Sequence, residues 1–236
     1  MEEMRKSATC CTTVPNRAGK FLSQLTPAAV QDLESTQHVS DLPADRIIFS
    51  ERETPEALYL VLSGDVKLSI NSRDGRRLSL RIVHAGEVLG LASVLSNTPY
   101  EVTAETLYPA RIARIERHDF LNFLSRHPEA YKTVTEELSR NVNLTCERLR
   151  VVGLSTSAPE KLARLLLDWS ENEHESENST RFRFCLTHEQ IGEFIGASRE
   201  TVTRTMGAFK DRRLVAFQGS MLTIPSRTAL ASYARG

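Results

Sequence analysis

One stretch near the C-terminus, residues 186–214, constrains the fold of this chain more than any other. Thr187 is followed three residues later by Gln190, the spacing of a capping box that starts a helix. Gly196 comes directly after the last apolar residue of that helix, where a left-handed glycine commonly ends it. Ser198 is a favourable N-cap for a second helix. The stretch therefore predicts two helices joined by a short turn that contains glycine.

The second predicted helix has two chemically different faces. Val202, Met206 and Phe209 are spaced four and three residues apart, so they share a face that packs in a core. The other face is polar and carries Arg199, Glu200, Thr203 and Arg204. In the major groove an arginine fork matches O6 and N7 of guanine, and a carboxylate accepts from the cytosine amino group. The pattern predicts a helix-turn-helix that binds double-stranded DNA. The alternative is a solvated helix on which Glu200 and Arg204 form an ordinary ion pair.

The charge distribution favours the DNA-binding interpretation. The chain carries no net charge overall, but residues 182–236 contain eight Lys and Arg residues against four Asp and Glu residues. The basic excess lies in the part that contains the predicted DNA-reading helix, where it attracts phosphate groups.

The sequence also bears on compartment. It contains no run of eighteen apolar residues, the length that a membrane-spanning helix needs. We therefore expect no membrane-spanning segment and no membrane partner. The N-terminal segment MEEMRKSATCC lacks the apolar centre of a signal peptide. We therefore expect a cytoplasmic protein, in which four cysteines do not form a disulfide framework.

Residues 39–115 show short apolar segments separated by turns, which is typical of an antiparallel barrel or roll. Asp74-Gly75 has the composition of a two-residue hairpin turn. The predicted strands are 46–50, 57–62, 66–71, 78–83, 88–91, 101–107 and 110–116.

Most of the other segments are predicted to be helical. Residues 117–153 are expected to form helices with a break near His127-Pro128. We also expect a helix after Thr26, a hinge at 153–159, a helix at 159–172, a solvated loop at 171–180, a strand at 182–186, a hairpin at 215–224 and a short helix or frayed end at 226–236.

Two regions resemble the CRP/FNR family of transcription regulators. Residues 198–204, SRETVTR, resemble the recognition helix of that family. Residues 58–64, Asp74-Gly75 and residues 86–90 resemble its cyclic nucleotide-binding roll. Together the resemblance covers about residues 21–225. It implies an α+β fold with an N-terminal antiparallel β-roll of the jelly-roll type, a long dimerisation helix and a C-terminal winged helix-turn-helix. The domains expected are a flexible leader at 1–20, the β-roll sensor domain at 21–127, the dimerisation helix and hinge at 128–156, and the DNA-binding domain at 157–236.

The resemblance also implies roles for individual residues. Arg199, Glu200 and Arg204 align with the side chains that read the DNA half-site in the family. Thr203 stands where the oxygen- and nitrogen-sensing branches carry a base-contacting serine. We expect Thr187, Ser198 and Thr201, at the helix N-termini, to meet phosphates. The implied target is an inverted repeat of a half-site close to TGTGA. It would be bound by a homodimer that pairs through residues 128–156, with RNA polymerase as a further partner.

The effector pocket departs from the family pattern. Nucleotide-binding members carry glycine-glutamate for the ribose and arginine-serine for the cyclic phosphate, whereas this chain has Gly90-Leu91 and Tyr100-Glu101. A glutamate repels the phosphate that an arginine would bind. Thr145-Cys146 aligns with a Thr-Ser pair that contacts the base, although packing in a helix pair is the simpler interpretation. We expect a degenerate pocket without ordinary cyclic-AMP binding. The alternative is an atypical pocket that still responds to a cyclic nucleotide, and an unknown small-molecule effector stays possible.

The residues favour neither an enzyme nor a resident cofactor. An iron–sulfur cluster needs several suitably spaced thiolates, but Cys10 and Cys11 are adjacent, and Cys146 and Cys185 fall in a predicted helix and strand. The zinc spacings CxxC and HxxxH are missing, and no histidine is selected as a haem ligand. A further alternative is a regulator whose helix-turn-helix has lost DNA binding, against which the polar face of the second helix argues.

Overall fold

A computed structural model of the protein describes residues 21–154, 157–170, 179–184 and 186–234. The predicted leader, most of the predicted loop at 171–180, and Cys185 lie outside the described residues. Within those residues, no helix combines the length and the apolar character needed to cross a membrane.

The chain divides into two compact units. The first consists of Met1–Ile70 with Leu80–Leu144, and the second of Asn71–Ser79 with Thr145–Gly236. The longest helix, α4, runs through Leu144 and therefore contributes residues to both units.

The elements up to the start of α4 are short strands and four helices. A 3₁₀ helix at Leu22–Gln24 comes first. The helices are α1 (Pro27–Ser35), α2 (Leu91–Ser96) and α3 (Arg117–Arg126). The strands are β1 (Gln37–Leu42), β2 (Ile47–Phe49), β3 (Ala57–Ser63), β4 (Val66–Asn71), β5 (Arg77–Val83), β6 (Val88–Leu89), β7 (Thr103–Thr106) and β8 (Ala110–Glu116).

Two four-stranded sheets form the roll. Their strand orders are β1-β8-β3-β6 and β2-β7-β4-β5. The strand β3 serves two cores, because successive side chains of a strand point to opposite faces. Leu60 packs in a core that includes Phe120 of α3, and Val61 packs in a second core with Val66 and Ile112. The predicted antiparallel roll is confirmed.

Two details of the roll differ from the sequence-based expectation. The strand β1 was not predicted as a separate element, because most of its residues are polar and exposed. It is a strand because it pairs along its whole length with β8, with Val39 opposite Ala113. The strand β7 is shorter than the predicted 101–107, because Tyr100 turns into the second core and Glu101 lies in a bend.

The helix α4 spans Ala130–Leu154 and follows α3 after the expected break at His127-Pro128. Proline disfavours helical geometry in the residue before it, which ends α3 there. Val134 is 2% exposed and belongs to the first core, and Leu138 packs against that core. These two apolar residues in the N-terminal half of α4 are therefore covered by the chain's own roll.

The second unit contains a compact bundle of helices and one small sheet. Its elements after α4 are α5 (Ala158–Trp169), β9 (Thr180–Arg183), α6 (His188–Ile195), α7 (Arg199–Asp211), β10 (Ala216–Gln218), β11 (Met221–Ile224) and α8 (Arg227–Ala234). The antiparallel sheet has the order β10-β11-β9. The strand β9 lies earlier than the predicted 182–186, because Thr180 pairs with Ile224 and Arg183 with Met221.

Candidate nucleic-acid interface

The helix α6 begins as its sequence indicates. The hydroxyl of Thr187 accepts from the Gln190 amide at 3.2 Å, and the Gln190 side-chain oxygen accepts from the Thr187 amide at 2.9 Å. This reciprocal pair is a capping box. Gly196 ends the helix with φ of 63°, a left-handed conformation that costs glycine little. The predicted first helix of the motif is confirmed.

The turn between α6 and α7 depends on Gly192, a residue that the sequence patterns above did not single out. The amide of Ala197 donates to the Gly192 carbonyl at 3.0 Å. A Cβ atom on Gly192 would lie 2.5 Å from the carbonyl oxygen of Ala197. The turn thus closes over a position where only a hydrogen fits. The sequence signal that could have identified Gly192 is a glycine within an otherwise apolar helical pattern.

The helix α7 separates a buried face from an exposed one. Its N-cap is Ser198, whose hydroxyl accepts from the Thr201 amide at 3.2 Å. The core-facing residues Val202, Met206 and Phe209 are at most 1% exposed. The exposed residues include Arg199, Glu200, Thr203 and Arg204, while Thr201 is half-buried. The structure therefore brings the predicted base-reading side chains together on one accessible face.

The charge of Glu200 is stabilised by its place in the first turn of α7. Hydrogen bonding to its own backbone amide and to the Ser198 side chain, with the nearby charge of Arg199, lowers the pKa of the Glu200 carboxyl. The group is therefore ionised at neutral pH and acts only as an acceptor, as a contact with a cytosine amino group requires.

A second residue that the sequence patterns did not select is His188, the first residue of α6. Its Nδ1 lies 2.8 Å from the hydroxyl oxygen of Thr203 on α7. That hydroxyl also donates to the Arg199 carbonyl at 2.9 Å. His188 therefore joins the two helices of the motif on their exposed side. It lines a cavity of about 300 Å³ together with Thr187, Glu189 and Arg199.

Arg148, near the C-terminal end of α4, supports the end of α6 from inside the second unit. Its guanidinium donates to the carbonyls of Phe194 and Ser79, and its central carbon lies 5.8 Å from the centre of the Phe194 ring. Burial lowers the pKa of Arg148 to about 10, so the group stays charged at neutral pH. Two carbonyl acceptors and the ring face together compensate for part of the lost hydration.

The second core of the roll contains Tyr100, one of the predicted pocket residues. The Tyr100 ring is 4% exposed and stacks on Phe49 with ring centres 4.0 Å apart. Its hydroxyl donates to the Ala57 carbonyl and accepts from the Ala57 amide at 3.3 Å. Burial raises the pKa of the Tyr100 hydroxyl, which keeps the donor protonated. A Cβ atom on Gly90 would lie 2.9 Å from the Tyr100 ring, so Gly90 leaves the space that the ring uses.

The other predicted pocket residues are placed differently. Leu91 is 2% exposed and packs in the first core, whereas Glu101 is exposed to solvent. Thr145 and Cys146 are exposed on the part of α4 that belongs to the second unit. Only Gly90 and Tyr100 are shown in direct apposition. Within the described part of the chain, no three His, Cys, Asp or Glu side chains are grouped as metal ligands.

Comparisons with known proteins match both parts of the chain. The model of the cyclic nucleotide-binding domain matches residues 39–127, and that of the Crp-like helix-turn-helix domain matches residues 160–233. A CRP-like cAMP-activated global transcriptional regulator of Mycobacterium tuberculosis is 28% identical, over 93% of this chain and 97% of the relative.

Solved structures show the same fold. FixK2 of Bradyrhizobium japonicum has a TM-score of 0.72 at 19% identity, covering 84% of this chain and 96% of its own. The c-di-GMP responsive global regulator CLP of Xanthomonas campestris has a TM-score of 0.72 at 21% identity, covering 85% of this chain and 100% of its own. A roll of the nucleotide-binding type followed by this helix-turn-helix defines a class of DNA-binding transcription regulators. The chain belongs to the CRP/FNR family of that class.

Gly192→Ala is expected to lower the free energy of unfolding by about 1–3 kcal/mol, because the new methyl group collides with the Ala197 carbonyl. Gly207→Ala in α7 is the matched control. There an added Cβ meets nothing within 4 Å in the described part of the chain, so alanine should stabilise the helix by about 0.5–1 kcal/mol. Urea denaturation measures both changes. Equal effects of the two substitutions would contradict the proposed close approach at Gly192.

Proposed function

We propose that this protein is a homodimeric regulator that recognises an inverted repeat of TGTGA-like half-sites. The observation that carries the proposal is the exposed face of α7, where Arg199, Glu200 and Arg204 lie together on a capped helix. An arginine fork and an ionised carboxylate on the first turns of such a helix fit the edges of guanine and cytosine. RNA polymerase is a further proposed partner of the DNA-bound protein.

The groups that would hold the DNA backbone surround that face. The N-termini of α6 and α7 carry the capping residues Thr187 and Ser198, and Thr201 follows in the first turn of α7. Amides at a helix N-terminus favour an anion such as phosphate. Contacts of this kind fix the register of the helix in the groove, and the base contacts then supply the sequence preference.

The dimer would form along α4. Tyr131, Val142 and Leu149 are 52%, 61% and 65% exposed in the single chain, although all three are large and apolar. Spacings of four and three residues, which are typical of a coiled-coil seam, connect Tyr131, Thr135, Leu138, Val142, Thr145, Leu149 and Val152. A second copy of α4 would cover this seam. Two-fold symmetry would then match the inverted repeat, whose half-sites lie about 34 Å apart.

The domain boundaries remain part of this proposal. The sensor roll at 21–127, the dimerisation helix and hinge at 128–156 and the DNA-binding domain at 157–236 assign the whole of α4 to dimerisation.

We propose that the roll does not use ordinary cyclic AMP as its effector. The phosphate-binding arginine is replaced by Tyr100, and its ring and hydroxyl are both occupied inside the roll. Glu101 places a carboxylate beside this position. The second candidate function is a cyclic-nucleotide-responsive regulator with an atypical pocket. It is favoured by the match to the nucleotide-binding domain and by the relative named as cAMP-activated.

The purified protein is expected to bind a TGTGA-N6-TCACA duplex without cyclic AMP. Arg199→Ala should weaken that binding at least about 30-fold, because the homodimer loses one bidentate base contact in each half-site and each contact is worth about 1–3 kcal/mol. Fluorescence anisotropy at fixed salt measures both constants, with Arg111→Ala, an equal loss of charge in the roll, as the control. Binding that appears only with cyclic AMP would instead establish the second candidate. An Arg199→Ala variant that binds as tightly as the original protein would contradict the proposed readout.

Leu149→Glu is expected to shift the protein from dimer to monomer and to weaken DNA binding at least tenfold, because each copy would bury an unpaired carboxylate in the seam. Sedimentation velocity measures the assembly. Glu147→Lys changes an exposed residue on the opposite side of α4 and should leave the dimer intact. A dimer that survives Leu149→Glu unchanged would place the interface elsewhere.

Tyr100→Phe is expected to lower the free energy of unfolding by about 1–3 kcal/mol, because both backbone groups of Ala57 would lose a buried partner. Tyr233→Phe is the control, since Tyr233 lies outside the proposed seam and its contacts within the described part of the chain are those of its ring, with Phe209 and Arg212. Chemical denaturation gives both values. A Tyr100→Phe variant as stable as the original would show that the hydroxyl does not hold the ring in place.

A further inference from the structure

The hydrogen bonds of Thr203 determine what its side chain offers to DNA. A hydroxyl group has one hydrogen to donate. The Arg199 carbonyl, 2.9 Å away, accepts only, so the Thr203 hydrogen points to it. The contact between the same oxygen and His188 Nδ1 at 2.8 Å must then run from the imidazole to the hydroxyl. His188 therefore carries a hydrogen on Nδ1 and donates it to Thr203.

These two bonds hold the Thr203 oxygen between α6 and the preceding turn of α7. The oxygen cannot donate to the acceptors that guanine, adenine or thymine present in the major groove, because its hydrogen is already used. Thr203 is nevertheless exposed beside Arg199 and Arg204. The methyl group is the part of the side chain that has no hydrogen-bonding role within the protein.

We propose that Thr203 is a specificity-determining residue that recognises a thymine through contact between its methyl group and the thymine C5-methyl. His188 is the positioning residue that holds Thr203 in the required rotamer. This inference rests on the proposed role of α7 in DNA binding and adds to it the kind of base and the kind of contact. Apolar contact with the C5-methyl is an established way to distinguish thymine in the major groove.

A hydroxyl contact would have a different chemical consequence. The one lone pair of the Thr203 oxygen that neither bond uses could accept from an adenine or cytosine amino group. Such a contact would survive Thr203→Ser and be lost in Thr203→Val, whereas the methyl contact would show the opposite pattern. The two substitutions therefore separate the two chemistries at a single position.

The experiment replaces each thymine of the TGTGA-N6-TCACA duplex in turn with deoxyuridine, which removes only the C5-methyl. For the original protein, one position per half-site should weaken binding about fourfold, the factor that burial of one methyl group represents. Thr203→Val should show the same loss on that deoxyuridine duplex, because valine in a helix strongly prefers a single χ1 rotamer without a hydrogen bond, whereas threonine divides between two and needs His188 to select one. Thr203→Ser should bind the thymine and deoxyuridine duplexes equally.

His188 is tested by the same deoxyuridine effect, which a general loss of stability would not abolish. His188→Ala should reduce the fourfold effect toward onefold, because Thr203 becomes free to rotate. His188→Asn keeps an N–H donor near the Nδ1 position and should restore it. Thr36→Ser is the control, since the Thr36 hydroxyl also donates to a carbonyl of its own helix, that of Leu33 at 2.9 Å, and Thr36 belongs neither to the helix-turn-helix nor to the proposed dimer seam.

The outcomes distinguish this inference from the proposed function. Equal affinity of the original protein for the TGTGA duplex and a scrambled duplex would remove the proposed function itself. Sequence-specific binding that is insensitive to deoxyuridine at every thymine would overturn the methyl contact alone. A deoxyuridine effect that persists in Thr203→Ser would assign the thymine contact to another residue. An effect that persists undiminished in His188→Ala would contradict the positioning role of His188.

Discussion

The close approach of the Ala197 carbonyl to Gly192 is the contact on which the DNA-binding face depends. It sets the turn between α6 and α7, because any side chain at Gly192 would force the carbonyl away. The caps at Thr187 and Ser198 then begin each helix at a defined residue. With both helices fixed, His188 reaches Thr203 across the motif. The close backbone packing in the turn thus fixes how the two helices lie against each other. This arrangement in turn fixes where the solvent-exposed side chains are placed.

A glycine, which has no Cβ atom, also shapes the roll. Gly90 begins α2 in a left-handed conformation and leaves room for the Tyr100 ring, which then stacks on Phe49. The Tyr100 hydroxyl donates to the Ala57 carbonyl and accepts from the Ala57 amide. The ring is therefore buried while its polar end keeps its hydrogen bonds. Tyr100 is therefore a structural part of the roll. It supplies a large group that occupies the interior and ties two parts of the roll together.

Local chemistry was sufficient to predict the helix-turn-helix, the hairpin turn at Asp74-Gly75 and the break before α4, since each depends on neighbouring residues. Contacts between distant residues were not predictable in this way. The strand β1 is polar and gains its conformation from pairing with β8. The bond between His188 and Thr203 joins residues whose side chains meet only after the turn has formed. Likewise, the resemblance aligned Tyr100 with a phosphate ligand of the family, but only the packing shows that its ring is buried against Phe49.

The proposal that the Tyr100 ring takes the place of an effector has a consequence for how such a protein responds over time. A group attached to the chain competes at a high effective concentration against any free molecule for the same space. A regulator that carries its own occupant in a fixed one-to-one ratio would follow the amount of protein present rather than the level of a diffusing metabolite. Its response time would then be set by synthesis and degradation of the chain, and a cell would adjust it by controlling expression.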